Sequence, residues 1–119
     1  MRFLGLVRAT EGQGAPPAAM MEAMARFIEV SLSSGSLVQT GGLAPASAAV
    51  RLRQSGGRLS VTDGPFVETK EMVGGYAILE APSREAAVEM MRAFMQLHEQ
   101  YWPAWQGECE LREMVFVTP

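Results

Sequence analysis

The chain has 119 residues and a net charge of −3, and apolar residues make up 48% of it against 19% charged residues. A chain of this length can bury the core of one domain, and its acidic balance excludes a basic surface for nucleic acid or an anionic membrane. We expect no cleaved leader and no membrane span, and the one cysteine, Cys109, forms no internal disulfide. These features favour a reduced, cytoplasmic setting, and the apolar surplus favours a homo-oligomer.

Hydrophobic periodicity divides the chain into alternating strands and helices. The predicted elements are, in chain order, a strand at 2–9, a helix at 18–33, a strand at 37–40, a hairpin at 48–62, a strand at 72–80, a helix opened by Ser83 and stopped by Pro103, and a strand at 108–117. The first strand carries apolar residues on both faces, which predicts that both of its faces are covered. Apolar spacings of three and four mark the helices, and the first apolar stripe includes Phe27, Ser31 and Leu32.

This order of elements predicts an α+β fold, a ferredoxin-like sandwich in which an antiparallel sheet carries two helices on one face. The strands at 3–7 and 76–79 are apolar on both sides, so the second face of the sheet also needs cover. A second copy of the same sheet provides it most simply. We therefore expect a homodimer, a dimeric α+β barrel with a cavity between the two sheets.

One segment of the chain, residues 61–76, reads VTDGPFVETKEMVGGY. It closely resembles the signature of the DGPF family, part of the YCII-related proteins, through Asp63, Gly64, Pro65, Phe66, Glu68, Lys70, Glu71, Gly74, Gly75 and Tyr76. Residues 41–45 and 107–112 extend the resemblance over nearly the whole chain, as one YCII-related domain spanning residues 1–119.

The resemblance implies a bacterial cytoplasmic protein with a dimeric α+β barrel of ferredoxin-like topology. Such proteins are often encoded beside extracytoplasmic-function sigma factors. In the wider YCII group a His–Asp pair is suggested as an active site. This chain departs from that pattern, because its first predicted helix has no histidine and its one histidine, His98, lies late in the second.

The candidate catalytic residues are Asp63 and His98, the only aspartate and the only histidine of the chain. Asp63 would act as a general base or a ligand-binding carboxylate. Its alternative role is in a turn, where its carboxylate accepts backbone N–H groups, Gly64 supplies a positive φ and Pro65 fixes the next φ. The alternative for His98 is a partly buried, hydrogen-bonding residue of a helix.

The candidate ligand-binding residues belong to the same motif and are Phe66, Glu68, Lys70, Glu71 and Tyr76. If the charged ones face a cavity, Lys70 would be the cationic contact for a polar small molecule. The alternatives are a solvated strand edge for the charged residues and a core or dimer-seam position for Phe66. For Trp102 and Trp105 we favour packing or a subunit contact over ligand binding.

Two functions from different classes fit these observations. The first is a domain that binds a small polar molecule in a cavity at the dimer interface, with enzymatic activity left open and no cofactor or metal implied. The second is a non-enzymatic partner in sigma-factor-linked transcription regulation, docking through Arg51, Arg53 and Arg58 of the predicted hairpin. Neither involves direct contact with nucleic acid or a membrane.

Overall fold

The computed structural model describes residues 1–64 and 71–115, which fold into six strands and two helices. The elements are β1 (Arg2–Thr10), α1 (Ala18–Ser34), β2 (Leu37–Gly42), β3 (Val50–Ser55), β4 (Arg58–Asp63), β5 (Glu71–Glu80), α2 (Arg84–Tyr101) and β6 (Gly107–Glu113). A short 3-10 turn at Ala46–Ala48 precedes β3. The predicted elements are all present, but the last strand ends at Glu113, before its predicted end at residue 117.

Four strands form the main sheet, in the order β2-β5-β1-β6, and every neighbouring pair is antiparallel. The strand β1, which is apolar on both faces, takes a central position between β5 and β6. The cover predicted for its second face stays a prediction. With α1 after β1 and α2 after β5, this order is the ferredoxin-like α+β arrangement. The fold class predicted from the sequence is confirmed.

The strands β3 and β4 form a separate two-stranded sheet, inserted between β2 and β5. The turn that joins them contains Gly56 and Gly57, with φ values of 58° and 73°. Positive φ at both central residues is the requirement of the tight hairpin turn that matches the twist of the strands, and glycine meets it without strain. The predicted hairpin is therefore confirmed.

The core lies between the helices and one face of the main sheet. Phe3 of β1 is 2% exposed and pairs with Leu79 of β5, which is also 2% exposed. Ala87 and Met91 of α2 are buried in the same cluster, and Ile28 of α1 packs against it. Both helices therefore cover the same face, as predicted.

The apolar stripe of α1 differs from the prediction at one position. Leu32 was expected in the stripe but is 47% exposed, whereas the neighbouring Ser31 is 8% exposed. Successive helical residues are about 100° apart, and in α1 the rotation brings Ser31 to the sheet side and turns Leu32 to solvent. Ser31 therefore faces the core and Leu32 does not.

The opposite face of the main sheet has no second layer among the described helices and strands. Leu4, Leu6 and Ile78 lie on this face. Leu4 pairs with Ile78 just as Phe3 pairs with Leu79, and successive strand residues point to opposite faces, so the first pair lies opposite the core. All three remain half-buried rather than buried. We refer to this surface as the open face.

Candidate functional site

A cavity of about 480 Å³ lies between the two helices and the covered face of the main sheet. Its wall is largely apolar, with Met24, Phe27 and Phe94 from the helices. The sheet side includes glycines of β2 and β5, among them Gly41 and Gly74.

Few polar groups reach this cavity. Ser31 of α1 is 8% exposed and lines it, and so does Thr40 of β2. The hydroxyl of Thr40 donates to the backbone carbonyl of Tyr76 at 2.8 Å, so that donor is already used. A ligand of this cavity would meet mainly apolar surface with one or two polar contacts.

Tyr76 is the predicted ligand-binding residue whose side chain the structure describes. It pairs with Leu6, so its ring lies on the open face rather than inside the cavity. Its phenolic oxygen accepts a hydrogen bond from the Gln39 side chain at 2.8 Å. Its ring passes close to Gly41, where a β-carbon would lie 3.0 Å from Cε1 of Tyr76. The absence of a side chain at Gly41 therefore leaves space for the ring of Tyr76.

The remaining candidate ligand-binding residues are not tested. Phe66, Glu68 and Lys70 lie outside the described residues. Glu71 begins β5 and pairs through its backbone with Thr10, but its side chain is also outside the description. Their role in binding stays a prediction.

Asp63 ends β4 at an exposed position, and Gly64 follows it. The expectation that Gly64 supplies a positive φ is wrong, because its φ lies outside the positive range. Its glycine identity has another cause: a β-carbon would lie 2.6 Å from the carbonyl oxygen of Ala46. The Gly64 N–H also donates to the Ala49 carbonyl at 2.8 Å, which ties the end of the hairpin to its beginning.

His98 lies near the end of α2 and is 8% exposed. Its Nδ1 is 3.2 Å from the Phe94 carbonyl oxygen, and its ring packs against Trp105. Burial lowers the pKa of His98, and the hydrogen bond to Phe94 opposes that shift only in part. With Nδ1–H donating, the neutral ring keeps Nε2 as an acceptor.

The two candidate catalytic residues occupy different parts of the fold. Asp63 belongs to the separate hairpin, whereas His98 is held by Phe94 and Trp105 at the end of α2. Among the described residues, no hydrogen bond or ion pair joins the two. The catalytic pair therefore stays a prediction.

A charge cluster that the sequence did not reveal joins β1 to β6. Nη1 of Arg8 lies 2.7 Å from Glu110, and Nε of Arg112 contacts the other oxygen of the same carboxylate. These two guanidinium groups hold the pKa of Glu110 below its ordinary value. Arg8 and Glu110 are far apart in the chain, and only the register of β1 against β6 brings them together.

Comparison with known proteins identifies the family. The profile of the YCII-related domain matches residues 1–96. The chain belongs to the YCII-related family. It is also 38% identical over 88 residues to an uncharacterised protein of Rhizobium meliloti (strain 1021), a match that covers 74% of this chain and 67% of that protein.

The match to the YCII-related domain includes the cavity wall and the DGPF segment but ends before His98. His98, Trp102 and Trp105 therefore lie beyond the residues that carry the family match. Among the described residues, no group of three or more His, Cys, Asp or Glu is arranged to hold a metal ion. No described helix is long and apolar enough to cross a membrane.

Proposed function

We propose that this YCII-related protein binds a small molecule in the cavity between its helices and main sheet, and that it does so as a homodimer. The main support for this proposal is the cavity. Its volume of about 480 Å³ falls within the usual range of ligand pockets, roughly 300–1,000 Å³.

The composition of the wall supports a ligand with an apolar body. Met24, Phe27 and Phe94 offer dispersion contacts, and Ser31 is a polar group that can orient the ligand. The polar ligand expected from the sequence depended on Glu68 and Lys70, which lie outside the described residues. The proposal therefore concerns binding and assigns no chemical reaction.

The open face supports the homodimer. Leu4, Leu6 and Ile78 lie there without a second layer among the described elements, in a sheet whose other face carries both helices. Packing two such faces together would cover both with one symmetric contact. A second cavity between the facing sheets, expected from the sequence, belongs to this part of the proposal.

A matched pair of variants tests the cavity. Ser31→Leu places extra volume in the cavity, whereas Ser33→Leu makes the same change on the exposed side of the same helix. The probe is anilinonaphthalene sulfonate, titrated by fluorescence. We expect saturable binding by the wild type and by Ser33→Leu, and at least roughly tenfold weaker binding by Ser31→Leu. Equal affinities for the two variants would contradict the proposal.

One observation favours the second candidate, an interaction protein. Arg51, Arg53 and Arg58 share one face of the hairpin. Arg51, Arg53 and Ser55 alternate along β3 and so point to one side, and Arg58 is the partner of Ser55 across the strands. Three guanidinium groups on one face suit an acidic partner. A pull-down with an extracytoplasmic-function sigma factor tests the idea, and retention that is unchanged in Arg53→Glu/Arg58→Glu would count against it.

A further inference from the structure

The hairpin has two chemically different faces. We call residues 50–63, which contain β3 and β4, the hairpin arm. Residues paired across the strands share a side, so one face of the arm carries Val50, Leu52, Leu59 and Val61, with Gln54 at the turn end and Asp63 at the base. The other face carries Arg53 and Arg58 among polar residues. The arm is therefore amphipathic.

The apolar face of the arm is uncovered in the single chain. The exposed fractions are 52% for Val50, 65% for Leu52, 68% for Leu59 and 64% for Val61. The Gly64 N–H donates to the Ala49 carbonyl and so closes the base of the arm. A two-stranded hairpin alone is only marginally stable in water, and a clustered apolar face marks a contact surface.

The size of the surface indicates what covers the arm. The chain exposes 8465 Å², whereas a folded monomer of 12.9 kDa is expected to expose roughly 6,300 Å². The excess of roughly 2,200 Å² is more than the ~800 Å² that each partner buries in a standard interface, and it suits a permanent dimer. The radius of gyration, 16.3 Å, likewise exceeds the ~13.5 Å expected for a compact chain of this length.

We propose that the hairpin arm of each copy packs its apolar face onto the second copy of this chain. The inference rests on the proposed homodimer and names the element that contacts the second copy. In a two-fold symmetric dimer each copy gives one arm and receives one, so every uncovered arm is buried within a closed assembly. The face with Arg53 and Arg58 stays in water, which suits its charge.

Two double variants separate the faces of the arm. Leu52→Gln/Leu59→Gln removes apolar contacts, whereas Arg53→Gln/Arg58→Gln puts the same residue at two positions on the other face. Sedimentation velocity from nanomolar to 100 µM concentrations measures the dimer dissociation constant. We expect the leucine variant to weaken the dimer by about a hundredfold or more, and the arginine variant by less than about threefold.

The outcomes distinguish a failure of the homodimer from a failure of the arm contact alone. A wild type that is monomeric at 100 µM overturns both the homodimer and the arm. A dimer that survives unchanged in the leucine variant, or that both variants weaken equally, overturns the arm alone. If circular dichroism shows that the leucine variant is unfolded, hydrogen exchange of the wild type decides. Amides of residues 50–63 should exchange faster on dilution to monomer, and an exchange rate independent of concentration overturns the arm.

Discussion

The imidazole of His98 lies against the indole of Trp105, with the ring centroids 4.2 Å apart. The edge of Phe94 contacts the same imidazole, at a centroid distance of 5.0 Å. Two aromatic rings thus exclude water from a residue that is 8% exposed. This packing disfavours the charged imidazolium and makes the stability of the fold sensitive to pH.

We expect the free energy of unfolding to fall as pH decreases from 7 towards 5. The unfolded chain takes up the histidine proton near pH 6.5, whereas the folded pKa of His98 is lower, so the unfolded state binds more protons in this range. The stabilisation is fully present above pH 6.5 and is lost as pH falls through the folded pKa. Urea unfolding at several pH values measures it.

The control for this pH dependence is His98→Phe, which keeps an aromatic ring but does not titrate. Its stability should change less between pH 7 and pH 5 than that of the wild type. The chain has one histidine, so a single imidazole NMR signal reports the folded pKa directly. A midpoint at or above 6.5 would show that burial does not govern this residue.

Gly107→Ala should destabilise the protein by about 1–3 kcal/mol. A β-carbon at Gly107 would overlap the ring of Trp105 and lie 2.6 Å from the backbone carbonyl oxygen of Arg8. Gly74→Ala is the matched control, because a β-carbon there meets nothing within 4 Å. Thermal unfolding of both variants measures the difference, and equal melting temperatures would refute the packing argument.

Ser83→Ala should cost about 1 kcal/mol of stability. The Ser83 hydroxyl accepts a hydrogen bond from the Ala86 N–H at 3.1 Å and so caps the N-terminus of α2. Ser33→Ala makes the same change at an exposed position inside α1 and should alter stability by less than about 0.5 kcal/mol. Denaturant titrations of the two variants provide the comparison; a smaller loss at Ser83 than at Ser33 would speak against the cap.

Cys109 should react slowly with a thiol reagent while the protein is folded. Burial raises the pKa of its thiol, and the charge of Glu110 adds to the shift, so less reactive thiolate is present at pH 8. We expect reaction with dithionitrobenzoate to be at least about tenfold faster in denaturing urea. Equal rates in the folded and unfolded chain would contradict this account.

Local pattern alone was sufficient to predict the helices, the strands, the hairpin and the cap at Ser83. These features depend on residues that are two to four positions apart, and the printed sequence contains that information. The DGPF segment indicated the family before the profile match confirmed it.

Only the tertiary structure decided which distant groups meet. The pairing of Arg8 with Glu110 depends on the register of β1 against β6, and glycine is required at Gly64 because the Ala46 carbonyl approaches it. The cavity between helices and sheet depends on how their side chains fill the space, which no local spacing describes. Periodicity tells which side of an element is apolar, but contacts between residues far apart in the chain arise only when the elements pack together.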